Sequence, residues 1–466
     1  MIIICLILKG DSMKSSVIDM TREPFGCNII RFTIPLVLMS MLQILFMACD
    51  DMLILGLFVG SEALAAVGAT TYIVNLFING FAGLAVGVNV VVAQAIGAKN
   101  EDAVRKAVHT AILSSVALGI AVTFIGEALG PLSLEALNTP DDIIAESALY
   151  LRIYFISAPF NLIFNFASAI MRAKGDSKHP FCYLTLSGIA DIILCTGFVL
   201  VFDMGVGGVA LGTLLSQVLA AVLSVLHLVR CEDETRLMLG RLRIDRRIFK
   251  RILLVGIPTG LNNMAFSFSN MQMQSAINIF GSAAVAGCSV STTMENFIYA
   301  ATNSIMQAVI SFTGQNTGAG KLENVPKIVR LSLIFTFLTG SLLGSLVYVL
   351  GYPMLPFFIN QEAVGYAMSR NLVVMLPYGM CGVMEVYAGV QRGLGKGLSP
   401  TIITLLGVCL FRILWVHTAF RAVMTIEMLF LSYLISWSAT ALAHYICYRY
   451  YLGKMMKRRE KIRTVA

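Results

Sequence analysis

Long runs of apolar residues follow one another along the chain, and short polar segments separate them. A helix that crosses a membrane needs about 20 apolar residues, because all of its backbone groups must be hydrogen-bonded within the helix. The pattern therefore predicts an all-α integral membrane protein with about twelve transmembrane helices. The predicted helices cover residues 29–55, 63–90, 104–130, 145–171, 180–201, 206–230, 250–279, 284–312, 326–352, 363–391, 399–421 and 426–451.

The polar connections between these helices alternate in charge. One set is basic and includes residues 99–106, 172–178, 236–251, 321–330 and 392–396. The other set is acidic and contains Glu62, Glu127, Glu135, Asp141, Asp142, Asp203 and Glu362. Because basic loops stay on the cytoplasmic side, we expect a multi-pass protein of the cell membrane with both termini in the cytoplasm.

The two halves of the sequence repeat each other. FVGSEALAAVGATT, which begins at Phe58, matches IFGSAAVAGCSVST, which begins at Ile279. Gln94 and Gln315 lie 221 positions apart, as do Gly60 and Gly281. A constant offset over several segments indicates a duplicated six-helix unit, with both copies inserted in the same direction. Such copies are related by a pseudo-twofold axis along the membrane normal and hold a substrate cavity between them.

A strongly charged connection in the middle of the chain separates the two copies. The predicted domains are a cytoplasmic N-terminal segment, 1–26; an N-lobe with helices 1–6, 27–231; a cytoplasmic linker, 232–249; a C-lobe with helices 7–12, 250–452; and a basic cytoplasmic tail, 453–466. Proline at position 35 predicts a kink in the first helix, and a kink gives a helix two shapes between which it can move.

Composition agrees with the membrane assignment, since 57% of the residues are hydrophobic, 13% are charged and the mean hydropathy is +0.81. The net charge of +8 lies in loops and in the tail. It therefore favours the lipid bilayer as partner and does not suggest nucleic acid. The ten cysteines and five histidines show no ligand spacing, and no catalytic motif is present. We expect no enzyme activity, no cofactor and no metal centre, apart from a possible Na⁺ ion at the acidic site described next.

Six charged residues lie inside apolar runs, where an ionised group is costly and usually functional. They are Asp50, Asp51, Asp191, Glu295, Glu385 and Arg412. Adjacent residues of a helix point about 100° apart, so Asp50 and Asp51 cannot both line one narrow cavity. Desolvation and a neighbouring carboxylate both favour the protonated form of a carboxyl group. We predict that Asp51 takes up a proton or a sodium ion, with Asp191 and Asp50 as further members of the cation site. The alternative for Asp50 is an acid near the outer membrane interface with access to water.

Two of these charges are predicted to form a structural ion pair. Glu385 and Arg412 precede and follow the same cytoplasmic turn, about 18 and 22 Å from it along their helices. Similar depth favours a buried pair that fixes helix packing, and the alternative is that Glu385 contacts a cationic substrate. Glu295 follows the polar residues STTM, so both a place in the substrate cavity and a packing role fit it.

Several motifs together resemble the multidrug and toxic compound extrusion family. They are the duplicated segment VAQAIGAK and TGQNTGAG, the segment QRGLGKGLSP followed by Arg412 and Trp415, and the first-helix pattern DMLILG followed by ALAAVG. The resemblance runs from about Met20 to about Tyr450 and is closest to the DinF-like branch, whose key carboxylate lies on the first helix. It implies a V-shaped arrangement of two six-helix lobes. It also implies export of organic, mostly cationic, compounds against inward flow of protons or sodium.

The resemblance assigns the family's first-helix aspartate to Asp51, and it places Asp50 where the family usually has an apolar residue. The family's fifth-helix pattern, asparagine and then aspartate four residues later, reads Asp191 and Cys195 here. The second carboxylate therefore lies one helical turn from its usual place. Where some relatives have a glutamate on the seventh helix, this chain has amides. The substrate-cavity candidates on that helix are Asn263, Asn270, Gln274 and Asn278.

Together, these observations predict a secondary active multidrug antiporter that works by alternating access, with small organic cations as substrates and a monomeric chain. The coupling ion, H⁺ or Na⁺, is left open. The alternative is a flippase for lipid-linked saccharides with the same two-lobed plan. A flippase would need several cationic residues for pyrophosphate, and Arg412 is the evident basic residue in mid-membrane, so the antiporter is favoured.

Overall fold

The computed structural model describes residues 17–136 and 139–465, with side chains described for residues 17–49, 54–136 and 139–461. This part of the chain is built from helices and contains no strand, which confirms the predicted fold class. We label the helices α1 (Phe25–Ala48, continued by a π-helix, Cys49–Val59), α2 (Ser61–Gly97), α3 (Glu101–Ala136), α4 (Ile144–Lys174), α5 (Lys178–Leu200), α6 (Gly205–Arg230), α7 (Arg246–Ile277), α8 (Ser282–Gly318), α9 (Val325–Met354), α10 (Gln361–Arg370, a π-helix Asn371–Met375, and Gly379–Gly393), α11 (Leu398–Thr404, a π-helix Leu405–Leu410, Phe411–His417 and Ala419–Val423) and α12 (Ile426–Val465).

Most of these helices are long and apolar enough to cross a membrane. Within the described ranges, ten helices have the length and apolar composition of a membrane span. The two parts of α10, bent by 44°, together make an eleventh candidate. The predicted helix 284–312 is present as α8, but α8 is not apolar enough to count among these candidate spans. The structure thus supports ten or eleven candidate spans where the sequence predicted about twelve.

The internal repeat is visible in the backbone. Helices α2 and α8 are both 37 residues long, and their first residues, Ser61 and Ser282, lie 221 positions apart. Each helix is preceded by a glycine with positive φ, +126° at Gly60 and +89° at Gly281. Residues with a Cβ rarely adopt these angles, so the glycine is required at both turns. The repeat predicted from sequence is therefore confirmed in local structure.

Contacts divide the chain into two compact units. The N-terminal unit contains Ile34–Gly256, and the C-terminal unit contains Met20–Thr33 and Ile257–Ala466. The start of α1 therefore groups with the C-terminal unit, and the first eleven residues of α7 group with the N-terminal unit. Both unit boundaries fall inside a helix, whereas the lobe boundaries predicted from the hydrophobic pattern lie between helices.

Close helix crossings at small residues hold the N-terminal unit together. A Cβ added to Gly119 of α3 would lie 2.3 Å from Cα of Pro159 in α4. A Cβ added to Gly87 of α2 would lie 2.3 Å from the carbonyl oxygen of Ile252 in α7. Small residues let helix backbones approach closely, and in lipid this packing is the main source of helix association.

The charged linker is ordered against the N-terminal unit. The amide of Leu237 donates to the carbonyl of Leu228 at 2.9 Å, and the amide of Met238 donates to Nε2 of His109 at 3.0 Å. Lys174 forms an ion pair with Asp233. Burial would raise the pKa of Asp233, but hydrogen bonds from Lys174 and Thr235 outweigh it and hold that pKa below its ordinary value.

In the C-terminal unit, the segment before α1 packs against the end of α8. Nδ2 of Asn316 donates to the carbonyl of Met20 at 2.8 Å, and Nζ of Lys321 donates to the carbonyl of Thr21 at 3.1 Å. The rings of Phe32 and Phe312 meet edge to face, with centroids 5.9 Å apart. The first residues of α1 are thus part of this unit's core.

Candidate functional site

A cavity of about 350 Å³ lies inside the N-terminal unit. Helices α1, α2, α4, α5 and α6 line it, and most of its polar lining is neutral. The polar lining residues are Gln43, Thr70, Thr71, Asn75, Tyr150, Tyr154, Asn161, Asn165, Ser187, Asp191, Thr213, Ser216 and Gln217. A cavity of this size with a few convergent polar groups is typical of small-molecule sites. The sequence analysis found only one of these residues, Asp191.

Asp191 gives the cavity its charge. Among the described residues of the lining, Asp191 is the one that carries a carboxylate, and none is a lysine, arginine or histidine. The thiol of Cys195, one turn further along α5, donates to Oδ1 of Asp191 at 3.4 Å. The same sulfur lies 3.4 Å from the carbonyl of Val209 in α6. The cavity is therefore suited to a proton, a metal cation or a ligand with positive charge, and not to an anion.

Cys195 lies in a tightly packed contact between α5 and α6. Its side chain is fully buried against α6, where a Cβ added to Gly212 would lie 2.4 Å from the sulfur. A carboxylate in this position would be packed against backbone and cut off from water. Position 191 instead lines the cavity, so the acid of α5 lies in the cavity wall while Cys195 lies in the packed contact with α6.

Helix α4 adds a pair of amides to the cavity wall. Nδ2 of Asn165 donates to Oδ1 of Asn161 at 2.8 Å and to the Asn161 carbonyl at 2.9 Å. The hydroxyl of Tyr154, on the same helix, is buried and has no hydrogen-bond partner in the described part of the chain. An unpaired buried hydroxyl is costly, so this wall offers hydrogen-bonding capacity to a bound molecule.

Helix α1 contributes Gln43, Phe46 and Met47 to the cavity. The π-helix that follows, Cys49–Val59, contains Asp50 and Asp51, whose side chains lie outside the described part. Short π-helical segments are often found at functional sites. The roles assigned to Asp51 and Asp50 in cation coupling stay predictions.

In the C-terminal unit, Glu295 of α8 forms an ion pair with Arg370 of α10. NH1 of Arg370 donates to the hydroxyl of Ser291 at 2.7 Å, and that hydroxyl donates to Oδ1 of Asn371 at 2.7 Å. Arg370 is 2% exposed. Arg370 was not predicted as a partner of Glu295, because it follows YAMS near the outer end of a predicted helix, where a basic residue is expected at the membrane surface.

The predicted ion pair between Glu385 and Arg412 is wrong. The guanidinium of Arg412 lies 3.8 Å from the ring centroid of Tyr433, and its Nε donates to Ser436 at 3.3 Å. Among the described residues, no salt bridge joins Glu385 to Arg412. Depth was estimated for regular helices, but α11 contains the π-helix Leu405–Leu410, which changes the direction of later side chains.

The amides predicted for the substrate cavity lie along α7 and the turn after it. Nε2 of Gln274 donates to Oδ1 of Asn278 at 3.1 Å, and the Asn263 carbonyl accepts from Ser267 at 3.4 Å. Like Glu295 and Glu385, the candidates Asn263, Asn270, Gln274 and Asn278 are outside the lining of the cavity described above. Their contact with substrate stays a prediction.

The structure also brings together Asp176, His179 and His227, which the sequence analysis did not connect. The two histidines are 48 positions apart and lie on different helices, so their spacing along the chain carries no signal.

Comparison with known proteins gives consistent results. The family model described as MatE matches the chain twice, over residues 35–197 and 258–416. "Probable multidrug resistance protein YoeA" of Bacillus subtilis is 27% identical over 387 residues, which cover 81% of this chain and 83% of that protein. "Multidrug export protein MepA" of Staphylococcus aureus is 22% identical over 402 residues, which cover 85% of this chain and 88% of that protein.

Solved structures share the fold. "Outward-facing conformation of a multidrug resistance MATE family transporter of the MOP superfamily" superposes with a TM-score of 0.86 at 20% identity, covering 94% of this chain and 98% of that one. A structure titled "Crystal structure of MATE in the straight conformation" superposes with a TM-score of 0.85 at 21% identity and the same coverage.

Proposed function

Since this chain belongs to the MatE family of transporters, we propose that it exports organic, mostly cationic, compounds in exchange for H⁺ or Na⁺ by alternating access. The family consists of transporters and not enzymes, as the sequence analysis predicted. We place the chain in the cell membrane as a monomer with both termini in the cytoplasm, and in the DinF-like branch of the family.

The observation that carries the proposal is a carboxylate in the wall of a cavity whose other described lining residues are neutral. That carboxylate belongs to Asp191. An ionised carboxylate in a low-dielectric site is stabilised by taking up a proton or by coordinating a cation. Amide and hydroxyl oxygens from α4, α2 and α6 surround the same space and could complete a sodium shell or hold a protonated carboxyl group.

One negative charge provides a simple means of coupling. When a proton or sodium ion neutralises Asp191, the N-terminal unit loses its attraction for a cationic substrate, and when the ion leaves the attraction returns. Ion and substrate then favour different states of the transporter, as exchange requires. Asp51 follows Met47, a residue of the cavity wall, by four positions in the chain, and we assign it the second part of the cation site.

The lining also argues against the flippase alternative. A pyrophosphate-linked lipid requires several basic groups in the cavity. None of the described residues that line the N-terminal cavity is basic, and in the C-terminal unit Arg370 is paired with Glu295 while Arg412 lies over Tyr433.

The test is ethidium efflux from vesicles with imposed gradients. The purified chain is reconstituted into proteoliposomes, and a pH gradient and a sodium gradient are imposed separately. We expect Asp191→Asn and Asp51→Asn each to reduce gradient-driven efflux at least about tenfold, whichever gradient drives the parent protein. Asp203→Asn is the matched control, because Asp203 is an exposed loop acid with φ +53°, an angle that asparagine tolerates. Parent-like transport by Asp191→Asn under both gradients would show that the cavity is not the coupling site.

A further inference from the structure

Two histidines and an aspartate converge at one end of the N-terminal unit, outside the cavity. Asp176 lies in the turn between α4 and α5, His179 in the first turn of α5, and His227 in the last turn of α6. One donor atom from each of these residues lies within 4.8 Å of the others. Imidazole nitrogen and carboxylate oxygen are the two commonest ligand types for zinc besides thiolate.

The donor atoms are mostly buried but accessible from one side. The side chains of Asp176 and His227 are 2% and 6% exposed, while that of His179 is 28% exposed. Oδ2 of Asp176 lies 2.5 Å from Nδ1 of His179 and 4.0 Å from Nε2 of His227. The two imidazole rings have centroids 4.4 Å apart. A metal ion could therefore enter past His179 and be held inside.

Neighbouring groups already fix the orientation of two donors. Oδ1 of Asp176 accepts from the amides of Lys178 at 3.1 Å and His179 at 3.2 Å, which leaves Oδ2 directed at the histidines. The hydroxyl of Tyr183 lies 2.9 Å from Nδ1 of His227. When that Nδ1 carries the proton and donates it to Tyr183, Nε2 presents its lone pair towards Asp176. Partners of this kind orient the ligands of known metal sites.

Helix capping accounts for only part of this arrangement. Capping of α5 explains why Asp176 accepts hydrogen bonds from Lys178 and His179. Capping does not explain why His227 lies beside Asp176. His227 belongs to α6, and its Nε2 is too far from Oδ2 of Asp176 for a hydrogen bond. A buried imidazole nitrogen directed at a buried carboxylate, with a gap between them, is what an ion-binding site requires.

We propose that Asp176, His179 and His227 bind one transition-metal ion of the Zn²⁺ class, with water as fourth ligand. In a tetrahedral site with bonds of about 2.0–2.1 Å, ligand atoms are about 3.3 Å apart. The separation of Asp176 from His179 must therefore widen, and that from His227 must narrow, each by less than about 1 Å. Two imidazoles favour zinc, cobalt or nickel over magnesium and calcium, which prefer oxygen ligands only. The metal takes the place of the proton on Nδ1 of a neutral His179, and that proton moves to Nε2, so the metal-bound imidazole stays neutral.

A bound ion would link the start of α5 to the end of α6. Both helices line the cavity: Asp191 lies twelve residues beyond His179, about 18 Å along the helix, and Gln217 lies ten residues before His227, about 15 Å. The ion thus connects two walls of the cavity at their far ends and stabilises the N-terminal unit against thermal unfolding. This inference does not depend on the proposed transport reaction.

The test uses the full-length chain in detergent, freed of its purification tag and stripped with a chelator. Co²⁺ alone is titrated and followed by its visible absorption, and Zn²⁺ is then added in competition. We expect one equivalent of Co²⁺ with the intense bands of a tetrahedral site, displacement by Zn²⁺, and a rise in the melting temperature. His179→Gln and His227→Gln should weaken binding at least about 100-fold, and Tyr183→Phe by about 10- to 100-fold.

His417→Gln is the matched control, because His417 is exposed near the end of α11 in the C-terminal unit, and it should bind like the parent. Absence of saturable Co²⁺ binding by the parent, or parent-like affinity in His179→Gln, would overturn the proposal. His179 is partly exposed, so its replacement decides the question even if His227→Gln does not fold.

Discussion

Arg370 carries a buried positive charge that only its neighbours offset. Its guanidinium is held by Glu295 and Ser291, and its side chain is almost completely enclosed. Removing one member of a buried ion pair leaves the other charge without compensation, which typically costs about 3–5 kcal/mol. Replacing both members by neutral groups costs much less, since no charge then remains buried.

We therefore expect Arg370→Met to destabilise the C-terminal unit by about 3–5 kcal/mol and to lower the melting temperature in detergent. The double variant Arg370→Met with Glu295→Gln should recover most of that loss. Thermal unfolding followed by circular dichroism, with the single and double variants side by side, measures both effects. Equal loss in the two variants would mean that packing, and not charge, stabilises this site.

At Gly87, helices α2 and α7 cross with their backbones in close contact. No side chain fits there, because a Cβ would lie 2.3 Å from the carbonyl oxygen of Ile252 and 2.9 Å from the amide nitrogen of Gly256. Backbone atoms cannot rotate away as a flexible side chain can. A methyl group at this point must separate the two helices along their length.

Gly87→Ala should accordingly lower the free energy of unfolding by about 1–3 kcal/mol. Gly68→Ala is the matched control in the same helix, because a Cβ there has open space around it. That control should be neutral or stabilising by up to about 1 kcal/mol, since alanine has the higher helix propensity. Thermal melts of both variants in one detergent provide the comparison, and similar melting temperatures would contradict the close crossing.

The positions of the helices could be predicted from the lengths of the apolar runs, but the directions in which their side chains point could not. The segments Cys49–Val59, Asn371–Met375 and Leu405–Leu410 are π-helical, although each lies in an apolar run from which only a regular membrane helix was predicted. An i→i+5 turn rotates everything that follows it relative to a regular helix. The pairing of Glu385 with Arg412 was predicted for regular helices, whereas the π-helix Leu405–Leu410 precedes Arg412 and changes the direction of its side chain.

At the scale of the whole molecule, the sequence predicted the helical class, the duplication and the family. The duplication could be recognised in the sequence because glycines such as Gly60 and Gly281 are needed for the same backbone turn in both copies. The cavity was harder to predict, because its neutral lining residues look like ordinary polar positions of membrane helices. The cluster of Asp176, His179 and His227 could not be predicted from the sequence, because only tertiary packing brings α5 and α6 together there.

The attachment of the linker to the N-terminal unit should depend on pH. The pKa of Asp233 is below its ordinary value in the folded chain, so its ionised form stabilises the fold. This contribution is present above about pH 4, the ordinary carboxyl value, and is lost as the pH falls further through the lower folded-state pKa. We expect the amide of Leu237 to lose hydrogen-exchange protection over that interval, after correction for the intrinsic exchange rate.

Asp233→Asn should show reduced protection of Leu237 already at neutral pH and little further change on acidification. Asp203→Asn, in an exposed loop, should behave like the parent protein. A parent-like acid transition in Asp233→Asn would assign the pH dependence to another group.

The grouping of Met20–Thr33 with the C-terminal unit, and of the start of α7 with the N-terminal unit, has a consequence for the ancestry of the chain. Each half contributes the beginning of its first helix to the core of the other. A single repeat expressed by itself would lack part of its own interior, such as the ring of Phe32 against Phe312. The smallest self-sufficient protein of this architecture is therefore a pair of repeats, either two copies that associate or one fused gene.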